Sequence, residues 1–222
     1  MPGLRARGNE GALTLALPRG SLFGECLSML DRAGFDTGEP RGDSRALIFA
    51  LEGLTIVTVR PSDVPIYVES GAADLGITGK DVLSEQNDRD VYELVDLGFG
   101  RCRMALAARA GGADLERAER RLGLMRIATK YPRTANRWFE RMGRQAEVIE
   151  VKGSVELAPL VGLADGIVDL VDTGRTLAEN GLEIVDEIAV STARLVANRV
   201  AHKLRATEVD EMVELLRESA AG

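Results

Sequence analysis

The sequence predicts an α/β fold. Short apolar runs rich in β-branched residues, such as Ile167-Val168-Asp169-Leu170-Val171, alternate with segments whose apolar residues recur at helical spacing. No internal repeat and no low-complexity linker interrupts that alternation. At 222 residues the chain has room for one large or two small domains. A chain of this size buries roughly 70% of its unfolded surface, so it needs no disulfides.

Residues 1–11, with Arg5 and Arg7, read as a disordered leader. Leu13 to Leu17 reads as a strand, and Pro18-Arg19-Gly20 breaks the apolar run too early for a signal peptide. Ser21 to Ala33 reads as a helix, with Leu22, Phe23, Cys26, Leu27, Leu30 and Ala33 on one face and Gly34 as its stop. Ala46 to Leu51 and Leu54 to Arg60 flank Glu52-Gly53 as a compact hairpin. Ser62 is placed to cap a helix running to Glu69. Asp74 to Thr78 is a short strand, and Gly79 starts the next helix.

A second unit begins near Arg101. Cys102 to Ala107 reads as a strand, Ala113 to Leu122 as a helix and Arg126 to Thr129 as a strand. Pro132 suits the start of a helix ending near Met142-Gly143. Ala146 to Val151 follows as a strand. Ser154 can cap the segment carrying Glu156, which Pro159 kinks or shortens. After the strand at 167–171, a short helix stops at Asn180-Gly181. Glu183 to Asn198 reads as one long extended stretch, and Thr207 to Ser219 as a closing amphipathic helix.

Composition excludes several functions. The net charge of −7 argues against a general nucleic-acid binder, although arginines converging on one cleft can still hold polyanions. No run approaches the roughly 20 apolar residues of a membrane span. Cys26 and Cys102 lack metal-ligand spacing and read as reduced cytosolic thiols. The single histidine, His202, has no partner for a Ser-His-Asp or Cys-His set. H-E-x-x-H, Walker A and G-x-G-x-x-G are all absent.

The most informative stretch is ELAPLVGLADGIVDLVDTGRTL, from Glu156 to Leu177. Its buried strand leads into the hydroxyl-rich loop Asp172-Thr173-Gly174-Arg175-Thr176 and then a helix. Gly174 lets the backbone approach an anion, main-chain N–H groups point at it, and Thr173 and Thr176 add hydroxyl donors. Asp169 and Asp172 would repel a bare phosphate but suit ribose hydroxyls or a magnesium ion. Phosphate donors beside sugar acceptors point to a phosphorylated ribose. Asp169 lies mid-strand on the face of Val171, so pairing across the sheet is an equally good reading. Glu156 near a helix start also reads as an ordinary first-turn carboxylate.

That stretch resembles the signature segment of the ATP phosphoribosyltransferase family, which opens histidine biosynthesis. LTLALPRGSL (13–22), VRPSDVPIYVESGAADLGITGKDVLSE (59–85) and RIATKYPRTANRWF (126–139) are similar to further family stretches. The chain ends at Gly222 without the C-terminal regulatory module of the long form, so it resembles the short form. The resemblance implies two α/β domains of the type II periplasmic-binding-protein kind with an active-site cleft between them. Domain I would be 1–100 plus 185–222, carrying the first basic loop and the ATP side. Domain II would be 101–184, carrying the phosphoribosyl pyrophosphate cradle.

The implied reaction joins N1 of ATP to C1 of phosphoribosyl pyrophosphate and releases pyrophosphate. Correct orientation alone contributes roughly 7–11 kcal/mol, and each preorganised donor at the leaving group roughly 3–4 kcal/mol. The resemblance assigns Arg19, Arg45 and Glu156 to catalysis, with Arg60, Lys80 and Asp81 as weaker candidates on the ATP and pyrophosphate side. Lys152, Asp169, Asp172, Thr173, Gly174, Arg175 and Thr176 would bind phosphoribosyl pyrophosphate. It also implies a Mg2+ requirement with no direct metal ligand assigned, a cytoplasmic homodimer, and a separate regulatory subunit resembling histidyl-tRNA synthetase. Three positions depart from the family pattern. Ser21 and Ala46 stand where a second cation is usual, and Arg175 stands where a small or polar residue is common. Arg175 is expected to replace part of the missing charge. A phosphoribosyltransferase for another base, a small-molecule binding module and a regulatory subunit remain alternatives at this stage.

Overall fold

The computed structural model describes residues 11–42, 45–109 and 112–220. Two compact units result, Met1–Gly100 with Thr192–Gly222, and Arg101–Ser191. The leader expected over residues 1–11 lies outside the described residues except for Gly11, whose carbonyl accepts a hydrogen bond from Arg205.

The first unit opens with β1 (Leu13–Pro18), where Leu15, Ala16 and Leu17 are fully buried. Burial on both faces marks an interior strand of a parallel sheet. Helix α1 (Phe23–Arg32) buries Cys26, Leu27, Met29 and Leu30. It starts later than Ser21, because the Phe23 N–H turns back onto the Gly20 carbonyl at 3.1 Å. After α2 (Gly38–Arg41) come β2 (Ile48–Leu51) and β3 (Leu54–Val59), the expected hairpin. Ser62 does not cap the next helix. It sits in a 3-10 turn, Pro61–Asp63, its hydroxyl bonded to Asp63, and α3 (Val64–Glu69) follows without a side-chain cap. Strand β4 (Leu75–Gly79) leads into α4 (Lys80–Glu85) with Gly79 as the N-cap. Strand β5 (Val91–Asp96) carries Tyr92, Glu93 and Asp96 and was hidden by that polarity.

The second unit runs β6 (Cys102–Arg109), α5 (Ala113–Leu122), β7 (Met125–Thr129), α6 (Pro132–Arg141), β8 (Ala146–Glu150), α7 (Leu157–Leu160), β9 (Gly166–Val171), α8 (Arg175–Glu179) and β10 (Leu182–Ser191). The chain then returns to the first unit with β11 (Ala193–Asn198), α9 (Arg199–Leu204) and α10 (Ala206–Ala220). The extended stretch expected over 183–198 is thus two strands in two sheets. The return falls at Thr192 rather than at 185, because β10 pairs with β6 from Leu182↔Arg109 to Ser191↔Cys102.

Among the described residues the first sheet has the order β2-β3-β1-β4-β11-β5 and the second β10-β6-β9-β7-β8. In the first, α1 and α10 cover one face through Cys26, Leu27, Leu30, Val209 and Leu216, and α3 covers the other through Val64 and Val68. In the second, Val168 faces Leu115, Trp138 and Phe139 of α5 and α6, while Ile167 and Val171 face Ala158 and Leu177 of α7 and α8. Strand alternation places Asp169 on the α7 and α8 face, since residues two apart share a side.

Candidate active site

In open α/β sheets, ligands bind beyond the carboxyl ends of parallel strands. In the first unit β1 runs parallel to β3 and β4, and these strands end directly before Arg19, Arg60 and Lys80. In the second unit β7 runs parallel to β8 and β9. Lys130 and Asp172 directly follow β7 and β9, and Lys152 stands two residues past β8.

The loop after β9 is held at both ends by buried Val171 and Leu177, while Asp172, Thr173, Arg175 and Thr176 are exposed. Gly174 adopts φ 80° at the N-cap of α8. A left-handed residue there turns the main chain sharply, at little cost only for glycine. The Thr173 hydroxyl accepts a long bond from the Arg175 N–H at 3.4 Å. Asn180 ends the helix by donating to the Thr176 carbonyl at 2.8 Å. The Arg175 side chain extends along α8 to Glu179 at 2.7 Å and is 82% exposed. Lys152 pairs loosely with Glu150 at 3.4 Å. Exposed pairs of this kind contribute little to stability, which leaves both cations available.

Two acids lie behind that loop. The Asp169 side chain is 18% exposed. Its Oδ1 accepts from the Leu170 N–H at 2.9 Å, and its Oδ2 lies 4.0 Å from Lys130 Nζ. Burial raises the Asp169 carboxyl above its ordinary range. The Leu170 N–H and then Lys130 oppose that shift, and Glu156 adds to it. Glu156 is not the first-turn carboxylate that its position suggests. It occupies the N-cap of α7 without a capping bond, because Pro159 falls inside a helix of only four residues. Its Oε2 is buried and accepts no hydrogen bond among the described residues. A buried acceptor without a donor is costly and usually signals a ligand or a functional constraint.

In the first unit Arg19 is tied down. Its Nε donates to Thr58 Oγ1 at 3.0 Å and its terminal nitrogen to the Ala46 carbonyl at 2.7 Å. Those bonds bring it beside exposed Arg45. Ala46 thus serves through its main chain. Arg60 is exposed past β3, and Asp81 lies in the first turn of α4. Lys80 Nζ meets Glu93 at 2.6 Å, and Arg194 bridges Glu93 at 3.3 Å and Asp96 at 2.8 Å. Sequence reasoning missed that network, since Glu93 and Asp96 lie in the unrecognised β5.

The expected residues therefore gather in two sets. Glu156, Asp169, Lys152 and the loop from Asp172 to Thr176 belong to the second unit. Arg19, Arg45, Arg60, Lys80 and Asp81 belong to the first. Lys130 was missed, although it stands inside the RIATKYP stretch as the first residue past a parallel strand. His202 lies outside both sets, 3.7 Å from Asp210 and edge-on to Tyr92.

Comparison with known proteins shows the family and the fold. The family model described as HisG, ATP phosphoribosyltransferase, matches residues 60–218. An ATP phosphoribosyltransferase of Rubrobacter xylanophilus is 56% identical over 198 residues, 89% of this chain and 91% of that protein. One from Geobacillus kaustophilus is 45% identical over 92% of this chain and 96% of that protein. A structure of the ATP phosphoribosyl transferase (HisG:HisZ) complex from Thermotoga maritima has a TM-score of 0.77 at 36% identity, covering 94% of this chain and 98% of that one. The aliphatic sulphonate binding protein SsuA of Escherichia coli, at 13% identity and a TM-score of 0.62, shares the fold alone. The expected two-domain periplasmic-binding-protein type of fold is borne out. The chain belongs to the ATP phosphoribosyltransferase family, the transferases of the first step of histidine biosynthesis.

Proposed function

We propose that the loop Asp172–Thr176 binds the 5-phosphate of phosphoribosyl pyrophosphate, and that Asp169 and Glu156 accept hydrogen bonds from the ribose hydroxyls, while the protein joins that ribose to N1 of ATP. The observation carrying this reading is the buried, unpartnered Glu156 Oε2 on the same sheet face as Asp169, beside an exposed glycine-threonine loop. Sugar hydroxyls supply the missing donors, and phosphate oxygens accept from the loop.

The lone pair of ATP N1 forms the bond to C1 as the C1–oxygen bond breaks and its electrons leave with pyrophosphate. No enzyme nucleophile is needed, which suits a site without a catalytic histidine. Arg19 and Arg45 meet the charge that develops on the leaving group, their planar forks gripping phosphate oxygens. Arg60, Lys80 and Asp81 are assigned to the ATP and pyrophosphate side, and Lys152 to the donor. Among the described residues no group of three or more His, Cys, Asp or Glu side chains could hold a metal ion. Exposed Asp172 and the open Glu156 oxygen are oxygen donors of the type magnesium takes. Magnesium would neutralise pyrophosphate charge when bound. A homodimer in the cytoplasm, joined by a histidyl-tRNA-synthetase-like regulatory subunit, is the assembly this reading expects, by analogy with the Thermotoga complex.

The test is pyrophosphate release from phosphoribosyl pyrophosphate with ATP, adenine or orotate offered in parallel, alongside Thr173→Ala and Thr176→Ala. Turnover with ATP alone, and a donor KM raised about tenfold or more in each variant, are expected. A donor KM unchanged in both variants would remove the loop from the site.

A further inference from the structure

We propose that Arg194 is a positioning residue for the ATP side of the reaction. By holding Glu93 and Asp96 it keeps the Lys80 ammonium available to a nucleotide phosphate. This rests on the assignment of Lys80 above and adds Arg194 and Glu93 to it.

Three observations within the first unit carry the role. First, the strands place these groups together. Strand β11 lies between β4 and β5, and Arg194 stands opposite Thr78 on one side and Asp96 on the other. The Lys80 N–H donates to the Thr192 carbonyl at 3.0 Å, so the root of Lys80 is fixed to the residue that leads into β11. Second, the ladder is irregular at Glu93. Regular pairing from Arg194↔Asp96 and Leu195↔Val95 would bring Val196 opposite Leu94, but the register shifts and Val196 meets Glu93. Cross-strand partners share a face, and so do residues two apart on one strand. The shift therefore turns Glu93 to the side of Arg194 and Asp96. Bulges that re-aim a side chain in this way are over-represented next to active sites. Third, the contacts form one chain of charge. Lys80 Nζ meets Glu93 Oε2 at 2.6 Å, and Arg194 reaches Glu93 Oε1 at 3.3 Å and Asp96 Oδ2 at 2.8 Å. Asp96 Oδ1 accepts from the Thr192 hydroxyl at 2.8 Å and from the Gly98 N–H at 3.0 Å, which fixes the far end of the chain. The Arg194 Nε is buried and has no hydrogen-bond partner among the described residues. An open buried donor is costly, which points to a constraint other than stability.

The charges balance only with Arg194 in place. Two cations face two carboxylates, so Lys80 shares Glu93 and Asp96 is already taken. Without Arg194 one ammonium faces both acids, and an approaching phosphate meets net negative charge. The Lys80 and Glu93 side chains are 38% and 33% exposed, a pair that a ligand can open at little cost.

The experiment measures kcat and both KM values by pyrophosphate release, on the full chain and its Arg194→Met, Lys80→Met, and Arg194→Met with Glu93→Gln variants. Arg194→Met is expected to raise the ATP KM about tenfold, the size of one lost charge-assisted contact, with the donor KM within about twofold. Adding Glu93→Gln leaves one cation against one carboxylate, and the ATP KM is expected to return to within about threefold of the parent. Lys80→Met is expected to raise the ATP KM as Arg194→Met does, and the two together to do no more than either alone, because they act through one group. Should Arg194→Met not fold, Arg194→Gln carries the same comparison. An unchanged ATP KM in Arg194→Met, a rise shared by both substrates, or no recovery with Glu93→Gln would overturn the role, since a merely structural arginine is not rescued by losing its partner. Failure of the Lys80 assignment is distinguishable. It would show in Lys80→Met itself as an unchanged ATP KM, which would overturn both.

Discussion

Asp169 is a half-buried acid whose burial works against its charged form. Its folded-state carboxyl is raised chiefly by burial. An acid raised on folding is bound to its proton more tightly in the native state, so stability falls as pH rises through the folded value. Asp169→Asn removes that loss. Its melting temperature is expected to exceed the parent's, by more at pH 8 than at pH 5, while donor turnover collapses. A melting temperature lower than the parent's at pH 8 would contradict the burial argument. Gly174 is a residue chosen for its backbone. At φ 80° an alanine is strained by roughly 1–2 kcal/mol, so Gly174→Ala is expected to lower stability by about that much in denaturant unfolding. Arg175 tests compensation for Ser21 and Ala46. Arg175→Ala is expected to raise the donor KM severalfold, and unchanged KM and turnover for both substrates would end that idea. These three residues were legible as candidates because they sit within one contiguous stretch. The state of Glu156 was not, since a hydrogen bond that fails to form leaves no mark in sequence.

At the scale of elements, the strongly patterned segments were legible. Helix α5 spans Ala113–Leu122 and α1 buries the face that its period marks. The misses share a cause. Strand β5 alternates polar and apolar residues too weakly to stand out, and its role as an edge partner of β11 depends on a segment about a hundred positions away. Ser62 and Ser154 looked like caps, yet neither caps a helix, because a 3-10 turn and a four-residue helix stand where longer helices were expected. Helix and sheet packing also makes demands at single positions. A Cβ on Gly76 of β4 would lie 2.6 Å from Val68 and 2.7 Å from Val64 of α3. Gly76→Ala is therefore expected to cost about 1–3 kcal/mol by overpacking, seen as an earlier urea midpoint with an unchanged slope. No loss of stability would mean that α3 sits less tightly on the sheet than its contacts indicate.

At the scale of the whole molecule, two units are built from one chain that leaves and re-enters the first. The family, the α/β class and the strand, glycine turn and helix around Gly174 were readable from residues alone, because each depends on local pattern: strand period, turn chemistry and the order of side chains along one strand. Only the tertiary structure decided that Thr192 divides two strands into separate sheets, that Lys130 stands against Asp169, and that a Glu156 oxygen is buried without a donor. Those features join positions far apart in sequence, and pairing and burial are properties of the packed chain rather than of any segment within it.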